Sequence, residues 1–191
     1  MARFFTADLH LGHANIIRYC HRPFADVTAM NRSLVERWNE AVTADDEVWI
    51  LGDLCMGQIS ESLPLVGRLQ GHKVLVAGNH DRCWEGNGPA AVQRRTPLYL
   101  AAGIDEVRQG TVRTQLGTTP VLAGHFPYSG DSHDSDRFQQ HRPVDDGRTW
   151  LLHGHVHEKW QVHQRQINVG VDVWGYQPVA EERLAGLISQ V

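Results

Sequence analysis

Aspartate, asparagine and histidine recur along this chain in short motifs, each placed directly after an apolar run. Carboxylate oxygen, amide oxygen and imidazole nitrogen are ligands for first-row divalent metal ions, and histidine also moves protons near neutral pH. Taken singly, each motif is more typical of a turn or a helix cap. Their joint occurrence in order favours a metal site. The motifs are Asp8-Leu9-His10, Gly52-Asp53, Gly78-Asn79-His80-Asp81, Gly124-His125 and Gly154-His155-Val156-His157.

The first half of the chain alternates between buried-strand and amphipathic-helix patterns. Apolar runs predict strands over Ala2–Ala7, Glu47–Leu51 and Lys73–Ala77, and helical spacing predicts helices over Thr28–Val42 and Ile59–Leu69. This alternation predicts parallel strands, whose carboxyl ends line the ligand crevice of an α/β sheet. We therefore expect five strand ends to bring the motifs to one edge.

Shorter strands are predicted after Pro97, followed by a last helix that starts near Pro178 and runs through Glu181–Ile188. The strands centre on Val107, Val112–Leu116, Pro120–Ala123, Thr149–Leu152 and Gln166–Val169. The polar segment Pro127–Gly147 has the length typical of a functional lid or a mobile loop.

Three helix caps are predicted from residue type. Thr28 or Asn31 would begin the helix over Thr28–Val42, Ser60 would begin the next, and Asn15 would begin a short helix over Ile16–Tyr19.

Composition narrows the class of protein. The 191 residues fit one domain, 1–191, and the net charge of −4 disfavours a binder of duplex nucleic acid. No run reaches the ~18 apolar residues of a membrane span, and the first residues lack a signal-peptide pattern.

The three cysteines lack CxxC spacing, which indicates a reducing compartment and predicts a cytoplasmic location. The oligomeric state stays open, since homodimers are common.

The ordered set of motifs resembles the calcineurin-like metallophosphoesterase superfamily, over nearly the whole chain. The N-terminal stretch ADLHLGHANII is similar to its compact bacterial and phage phosphodiesterases. The resemblance implies a four-layer α/β/β/α sandwich, with two mixed sheets flanked by helices, and two divalent metal ions. It implies these roles: Asp8, His10 and His157 hold one ion, Asn79, His125 and His155 hold the other, Asp53 bridges both, and His80 touches the substrate without binding metal.

The ligand chemistry agrees with that assignment. Oxygen and imidazole donors suit Mn, Fe, Zn, Ni or Co. Two such ions lower the pKa of a shared water toward neutrality, which makes a bridging hydroxide the expected nucleophile. His80 is then the expected general acid for the leaving alkoxide. The expected activity is hydrolysis of phosphodiesters, with a small nucleotide-like substrate such as a 2′,3′-cyclic or 3′,5′-cyclic nucleotide.

Neighbouring residues leave alternatives open. Asp81 could orient His80 or cap the next helix, and His13, Asn15 and Arg82 could contact substrate or serve structure and surface. His153 is expected in the core or behind the metal ligands.

Other functions remain as alternatives. Protein phosphatases of the superfamily usually carry a second aspartate and an arginine after Gly52-Asp53, and both are missing here. A phosphomonoesterase or a nuclease could use the same residues, although the basic residues around Arg94 and within 137–148 read as solvated surface. A metal-binding interaction scaffold without catalysis is the alternative of a different class.

Overall fold

The fold is mixed α/β, with two five-stranded mixed sheets and five α-helices in residues 1–189, which the computed structural model describes. The predicted domain end at residue 191 lies outside the described residues. The strands are β1 (Arg3–Thr6), β2 (Glu47–Ile50), β3 (His72–Val76), β4 (Glu106–Arg108), β5 (Val112–Leu116), β6 (Thr119–Ala123), β7 (Trp150–His153), β8 (Val162–His163), β9 (Gln166–Asn168) and β10 (Val179–Ala180).

Parallel strands form the centre of both sheets. The first sheet has the order β10-β1-β2-β3-β4, in which β1 to β4 run parallel and β10 pairs antiparallel with β1. The second has the order β5-β6-β7-β9-β8, in which β6, β7 and β9 run parallel between antiparallel edge strands. The parallel pairing predicted for the first half is confirmed.

Alternate residues of the central strands of the first sheet enter two different cores, because successive side chains of a strand point to opposite faces. Phe5 and Val74 pack in a core shared with Val121 and Leu152 of the second sheet. The residues on the other face, such as Ile50, pack against the helices. Burial on both faces explains why these strands read as continuous apolar runs.

The helices are α1 (Ala14–Tyr19), α2 (Val27–Ala41), α3 (Ile59–Ser62), α4 (Pro89–Ala101) and α5 (Glu181–Ile188). The prediction of α2 is confirmed, and so is that of α5 over Glu181–Ile188. The predicted start near Pro178 is wrong, because Val179–Ala180 form β10, which pairs with β1. The helix predicted over Ile59–Leu69 is instead the single turn of α3 followed by a 3-10 helix, Leu63–Arg68, which has a proline in its first turn.

The predicted caps are wrong. Asp26 begins α2, and its carboxylate accepts a hydrogen bond from the Ala29 amide at 2.8 Å. Asn15 lies inside α1, where His13 is the N-cap, and Gln58 rather than Ser60 precedes α3. Several residues near each boundary can cap a helix, and the backbone path decides among them.

Helix α4 was not predicted. It contains Pro97, and an interior proline is ordinarily a signal that a helix ends. None of the helices in residues 1–189 combines the length and apolar character that crossing a bilayer requires.

A candidate metal centre at the strand ends

The loops that follow β1, β2, β3, β6 and β7 converge, as the sequence predicts, and bring the motif residues together. Five of these residues adopt left-handed backbone conformations, which is uncommon for residues other than glycine. Such conformations persist where the surrounding structure imposes them, and they cluster at functional sites. The five are Asp8 (φ 56°), His10 (φ 52°), Asp53 (φ 56°), His155 (φ 73°) and His157 (φ 52°).

One buried cluster could hold a metal ion. It consists of Asp8, His10, Asp53 and His157, each offering one ligand atom within 4.8 Å of the others. The Nε2 atoms of His10 and His157 lie 3.2 Å apart, and Asp53 Oδ2 lies 3.8 Å from His10 Nε2. Burial lowers the pKa of His10 well below its usual value and that of His157 to about 4, so both rings are neutral at pH 7. Neutral imidazoles beside carboxylates are a donor set that suits a divalent cation.

The second predicted group, Asn79, His125 and His155, adjoins this cluster. His125 Nε2 lies 3.0 Å from Asn79 Oδ1 and 3.4 Å from Asp53 Oδ2, and its Nδ1 faces the Leu51 carbonyl at 2.9 Å. A neutral ring that donates from Nδ1 presents a lone pair at Nε2 to two further acceptors. A proton on Nε2, or a cation bound among these three atoms, would relieve this repulsion.

His155 faces the same group from the second sheet. Its ring centre lies 5.2 Å from that of His125, and its Nε2 lies 3.0 Å from Asp131 Oδ2. Metal-binding histidines commonly donate their second ring N–H to a carboxylate. Asp131, in the segment 127–147, was missed because nothing in its sequence context marks it as a partner of His155.

Asp8 and Asp53 are both buried, but their pKa values shift in opposite directions. Burial raises the pKa of Asp8 to about 8. Burial acts on Asp53 in the same sense, but His125, His10 and His80 outweigh it and hold the pKa of Asp53 well below its usual value. Burial lowers the pKa of His125, while the Asp53 carboxylate more than offsets this and raises it to about 9.

His80 lies beside the cluster without belonging to its four ligand residues. Its Nε2 is 4.0 Å from Asp53 Oδ2, its side chain is 37% exposed, and its backbone N–H donates to Asp53 Oδ1 at 2.9 Å. The ring therefore contacts both the cluster and a solvent-accessible cavity of about 340 Å³. His13 and Asn15 line this cavity as well.

Asp81 has neither of the two roles that its sequence position suggests. Its fully buried carboxylate accepts hydrogen bonds from the backbone amides of Asp53 (2.9 Å), Leu54 (3.2 Å) and Gly78 (2.9 Å). It thereby joins the loop after β2 to the loop after β3. The helix-capping and His80-orienting predictions are replaced by this connecting role.

Arg22 fixes the loop after β1, and sequence reasoning missed it. Its guanidinium donates to the carbonyls of Asp8 (2.7 Å) and Leu9 (3.0 Å) and forms a paired interaction with Asp172 at 2.8 Å. Asn168 acts similarly on the last loop, since its amide nitrogen donates to the His157 carbonyl at 2.7 Å.

Glycines leave room for the carboxylates. A Cβ on Gly78 would lie 2.5 Å from Asp53 Oδ1, and one on Gly154 would lie 2.7 Å from Asp8 Oδ2. Both distances are shorter than real contacts, so the glycines of the G-N-H-D and G-H-x-H motifs are required by close approach.

Two further predictions have clear outcomes. His153 is buried in the core, where its ring packs on Trp160, as expected. The expectation of solvated arginines in 137–148 is wrong in part, because Arg137 lines the cavity and the Arg142 side chain is only 6% exposed and pairs with Asp131. Arg82 is exposed and lines an adjoining cavity with Asn79 and His80.

Comparison with known proteins finds similarity to two phage proteins. No protein-family model matches it. It is 35% identical to the Gene 66 protein of Mycobacterium phage L5 over 211 residues, covering 98% of this chain and 94% of that protein. It is 38% identical to the Gene 66 protein of Mycobacterium phage D29 over 186 residues, covering 89% and 87%.

A solved structure shares the fold. The crystal structure of a protein of unknown function from Aquifex aeolicus superposes with a TM-score of 0.72 at 22% identity, covering 97% of this chain and 98% of that chain. At this identity the likeness concerns the fold alone. From the sequence identity and its coverage, the chain belongs to the family of the mycobacteriophage Gene 66 proteins.

Proposed function

We propose that this protein is a dinuclear-metal phosphodiesterase that acts on small nucleotide-like substrates, with His80 as the general acid. The observation that carries the proposal is the buried cluster of Asp8, His10, Asp53 and His157, with His80 at its solvent side. The proposal includes the four-layer α/β/β/α arrangement of metallophosphoesterases. The core shared by the two sheets and the helices packed on the outer face of the first sheet support it.

The donor sets fit two ions of the Mn, Fe, Zn, Ni or Co class. Asp8, His10 and His157 would hold one ion, Asn79, His125 and His155 the other, and Asp53, which contacts both groups, would be shared. When bound, such ions stabilise charge on a phosphoryl group and lower the pKa of water toward neutrality. Two divalent ions beside the carboxylates of Asp8 and Asp53 leave about two positive charges, so the pocket attracts a phosphate even though the protein carries a net charge of −4.

His80 supplies the proton in this proposal. An alkoxide leaves poorly unless it is protonated, and a well-placed imidazole typically contributes a factor of about 10²–10⁴. The backbone bond from His80 to Asp53 Oδ1 fixes the His80 main chain beside the shared carboxylate, and the exposure of the ring to solvent allows it to recover a proton.

The shape of the surface favours a diester over a monoester. The central cavity adjoins one of about 330 Å³ beside Tyr19 and Glu158, and another of about 230 Å³ beside Arg82 and Asn87. His133 lines the first of these as well as the central cavity, and Met56 lines the second. A phosphodiester carries two substituents on phosphorus, and the two side cavities offer a place for each.

The three buried cysteines are all free, which supports a cytoplasmic setting.

A metal-restoration assay tests the proposal. The protein is stripped of metal, reloaded with Mn²⁺, and assayed on an alkyl phosphodiester, a phosphomonoester and cyclic nucleotides. Asp53→Ala should lose metal binding and hydrolysis together, whereas His80→Ala should bind metal normally and lose about 10²–10⁴-fold in kcat. His163→Ala, at an exposed position in β8, is the matched control and should behave like wild type.

The alternatives give different results. Hydrolysis of monoesters alone would indicate a phosphomonoesterase. Metal binding without hydrolysis of any phosphoester would contradict the enzyme and favour the interaction scaffold. Full activity of His80→Ala on an alkyl diester would remove His80 as the proton donor.

A further inference from the structure

Segment 127–147 provides one wall of the cavity, and Arg137 lies in that wall. Within residues 1–189, Arg137 is the one arginine or lysine that lines the central cavity. The other lining residues include the cluster histidines, His13 and His133. The cationic side chain is therefore placed at the candidate site rather than in bulk solvent.

A buried carboxylate holds the Arg137 guanidinium in place. Asp131 Oδ1 accepts from Arg137 Nε at 3.1 Å and from Nη2 at 2.8 Å, and Oδ2 accepts from the Arg137 backbone N–H at 2.9 Å. The Asp131 side chain is 0% exposed, whereas that of Arg137 is 37% exposed. The Nε and Nη2 edge of the guanidinium is thus fixed by Asp131, while the side chain stays partly exposed and lines the cavity.

The same carboxylate connects this arginine to the metal centre. Asp131 Oδ2 lies 3.0 Å from His155 Nε2 and 3.3 Å from Arg142 Nη2. Arg142 also donates to the Gly130 carbonyl at 2.8 Å, which joins two parts of segment 127–147 next to Asp131. The position of Arg137 relative to the cluster is therefore set by a chain of direct contacts.

The two N–H groups on Nη1 of Arg137 remain for a ligand. Its Nε and Nη2 are used by Asp131 and Ser132, while Nη1 makes no hydrogen bond to any residue between 1 and 189. Planar guanidinium groups bind phosphate oxygens with short, charge-assisted hydrogen bonds. Because Asp131 already restricts the rotamers of this side chain, little conformational freedom remains to be lost when an anion binds.

We propose that Arg137 is the anion-binding residue of the cavity and donates from Nη1 to a non-bridging oxygen of the substrate phosphoryl group, with Asp131 as its positioning residue. The inference rests on the proposed function, since it takes a phosphoester as the ligand. It assigns to segment 127–147 the recognition of phosphate, separate from the residues proposed to hold metal.

The test measures binding of inorganic phosphate to the Mn²⁺-loaded protein by calorimetry, alongside kcat and KM for a phosphodiester. Arg137→Ala should weaken phosphate binding by about 10–100-fold and raise KM more than it lowers kcat. Arg137→Lys keeps the charge but loses the planar fork, and it should lie between Arg137→Ala and wild type. Mn²⁺ affinity should stay within about twofold of wild type in both variants, since Arg137 forms no hydrogen bond to a predicted ligand and Asp131 keeps its contacts with Arg142 and His155.

One control and one comparison locate the effect. Arg148→Ala, at an exposed arginine in the same polar region, should leave phosphate affinity within about twofold of wild type. Arg82→Ala, in the adjoining cavity, should weaken phosphate binding less than Arg137→Ala does. The inference is overturned if Arg137→Ala binds phosphate normally, if Arg82→Ala has the larger effect, or if Arg137→Ala loses Mn²⁺ and phosphate together. It is also overturned if the wild-type protein binds Mn²⁺ but no phosphate. Phosphate binding that depends on Arg137, in a protein that hydrolyses no phosphoester, would contradict the proposed function and leave this inference standing.

Discussion

Arg22 offers a sharp test of how the fold supports the metal centre, because it contacts the Asp8 loop through backbone carbonyls alone. Its side chain and that of Asp172 are 0% and 1% exposed, and they meet through two hydrogen bonds of 2.8 Å. The same guanidinium donates to the carbonyls of Asp8 and Leu9. Arg22→Met removes these four bonds and a weaker one from Nη1 to Met30 Sδ (3.6 Å), while keeping much of the side-chain volume.

The size of the effect follows from burial. Removing one partner of a buried ion pair costs about 3–5 kcal/mol, because the remaining charge is left without compensation. The two carbonyls lose their donors, at about 1–3 kcal/mol each. We therefore expect Arg22→Met to lower the free energy of unfolding by at least about 4 kcal/mol. With the Asp8 carbonyl released, the left-handed Asp8 backbone can relax, and we expect Mn²⁺ affinity to fall by about tenfold or more.

Urea unfolding of the metal-free protein, followed by tryptophan fluorescence, measures the first effect, and calorimetry with Mn²⁺ measures the second. Arg165→Met is the matched control, since Arg165 pairs with Asp145 at 3.1 Å while both side chains are about one-third exposed. It should cost less than about 1 kcal/mol. The double variant Arg22→Met with Asp172→Leu should recover part of the loss but not the carbonyl contribution. A cost for Arg22→Met similar to that of Arg165→Met, or a double variant less stable than the single one, would refute the reasoning.

Two further predictions concern the metal site. Gly154→Ala should lower Mn²⁺ affinity by about tenfold or more, because the new Cβ would lie 2.7 Å from Asp8 Oδ2. Gly186→Ala, in α5, should instead stabilise the protein by about 0.5–1 kcal/mol, since within residues 1–189 the added Cβ meets no atom within 4 Å outside its chain neighbours and its own helix backbone. At pH 7, Mn²⁺ binding should release about two protons, since Asp8 and His125 have pKa values raised to about 8 and about 9 and both must deprotonate to bind. Metal affinity should therefore rise with pH up to about 9, as calorimetry in buffers of different ionisation enthalpy can measure.

Contrary results are easy to recognise. Unchanged metal affinity in Gly154→Ala would mean that the Asp8 carboxylate does not need the space above that glycine. A metal affinity that stays constant between pH 6.5 and 8.5 would mean that Asp8 and His125 are not both protonated in the metal-free protein.

Periodicity and apolar runs predicted the elements that carry the site. Strands β1, β2 and β3 lie within a residue of the predicted ranges, and helix α2 is displaced by one residue. These elements are buried on defined faces, so their local pattern is strong. Helix α4 was missed because Pro97 suggests a break, and the two-residue strands β8 and β10 are defined only by the strands they pair with.

The sequence by itself determined which polar residues directly follow each predicted strand, because an apolar run marks a buried strand and its end marks where polar side chains can begin. This was sufficient to predict that Asp8, Asp53 and the motif histidines form one metal site. The tertiary structure decided which atoms meet and what holds them. Asp131 lies 24 positions from His155, and Arg22 lies 150 positions from Asp172. A contact between residues so far apart leaves no periodic or local signature, since it depends on how the two sheets and their loops pack.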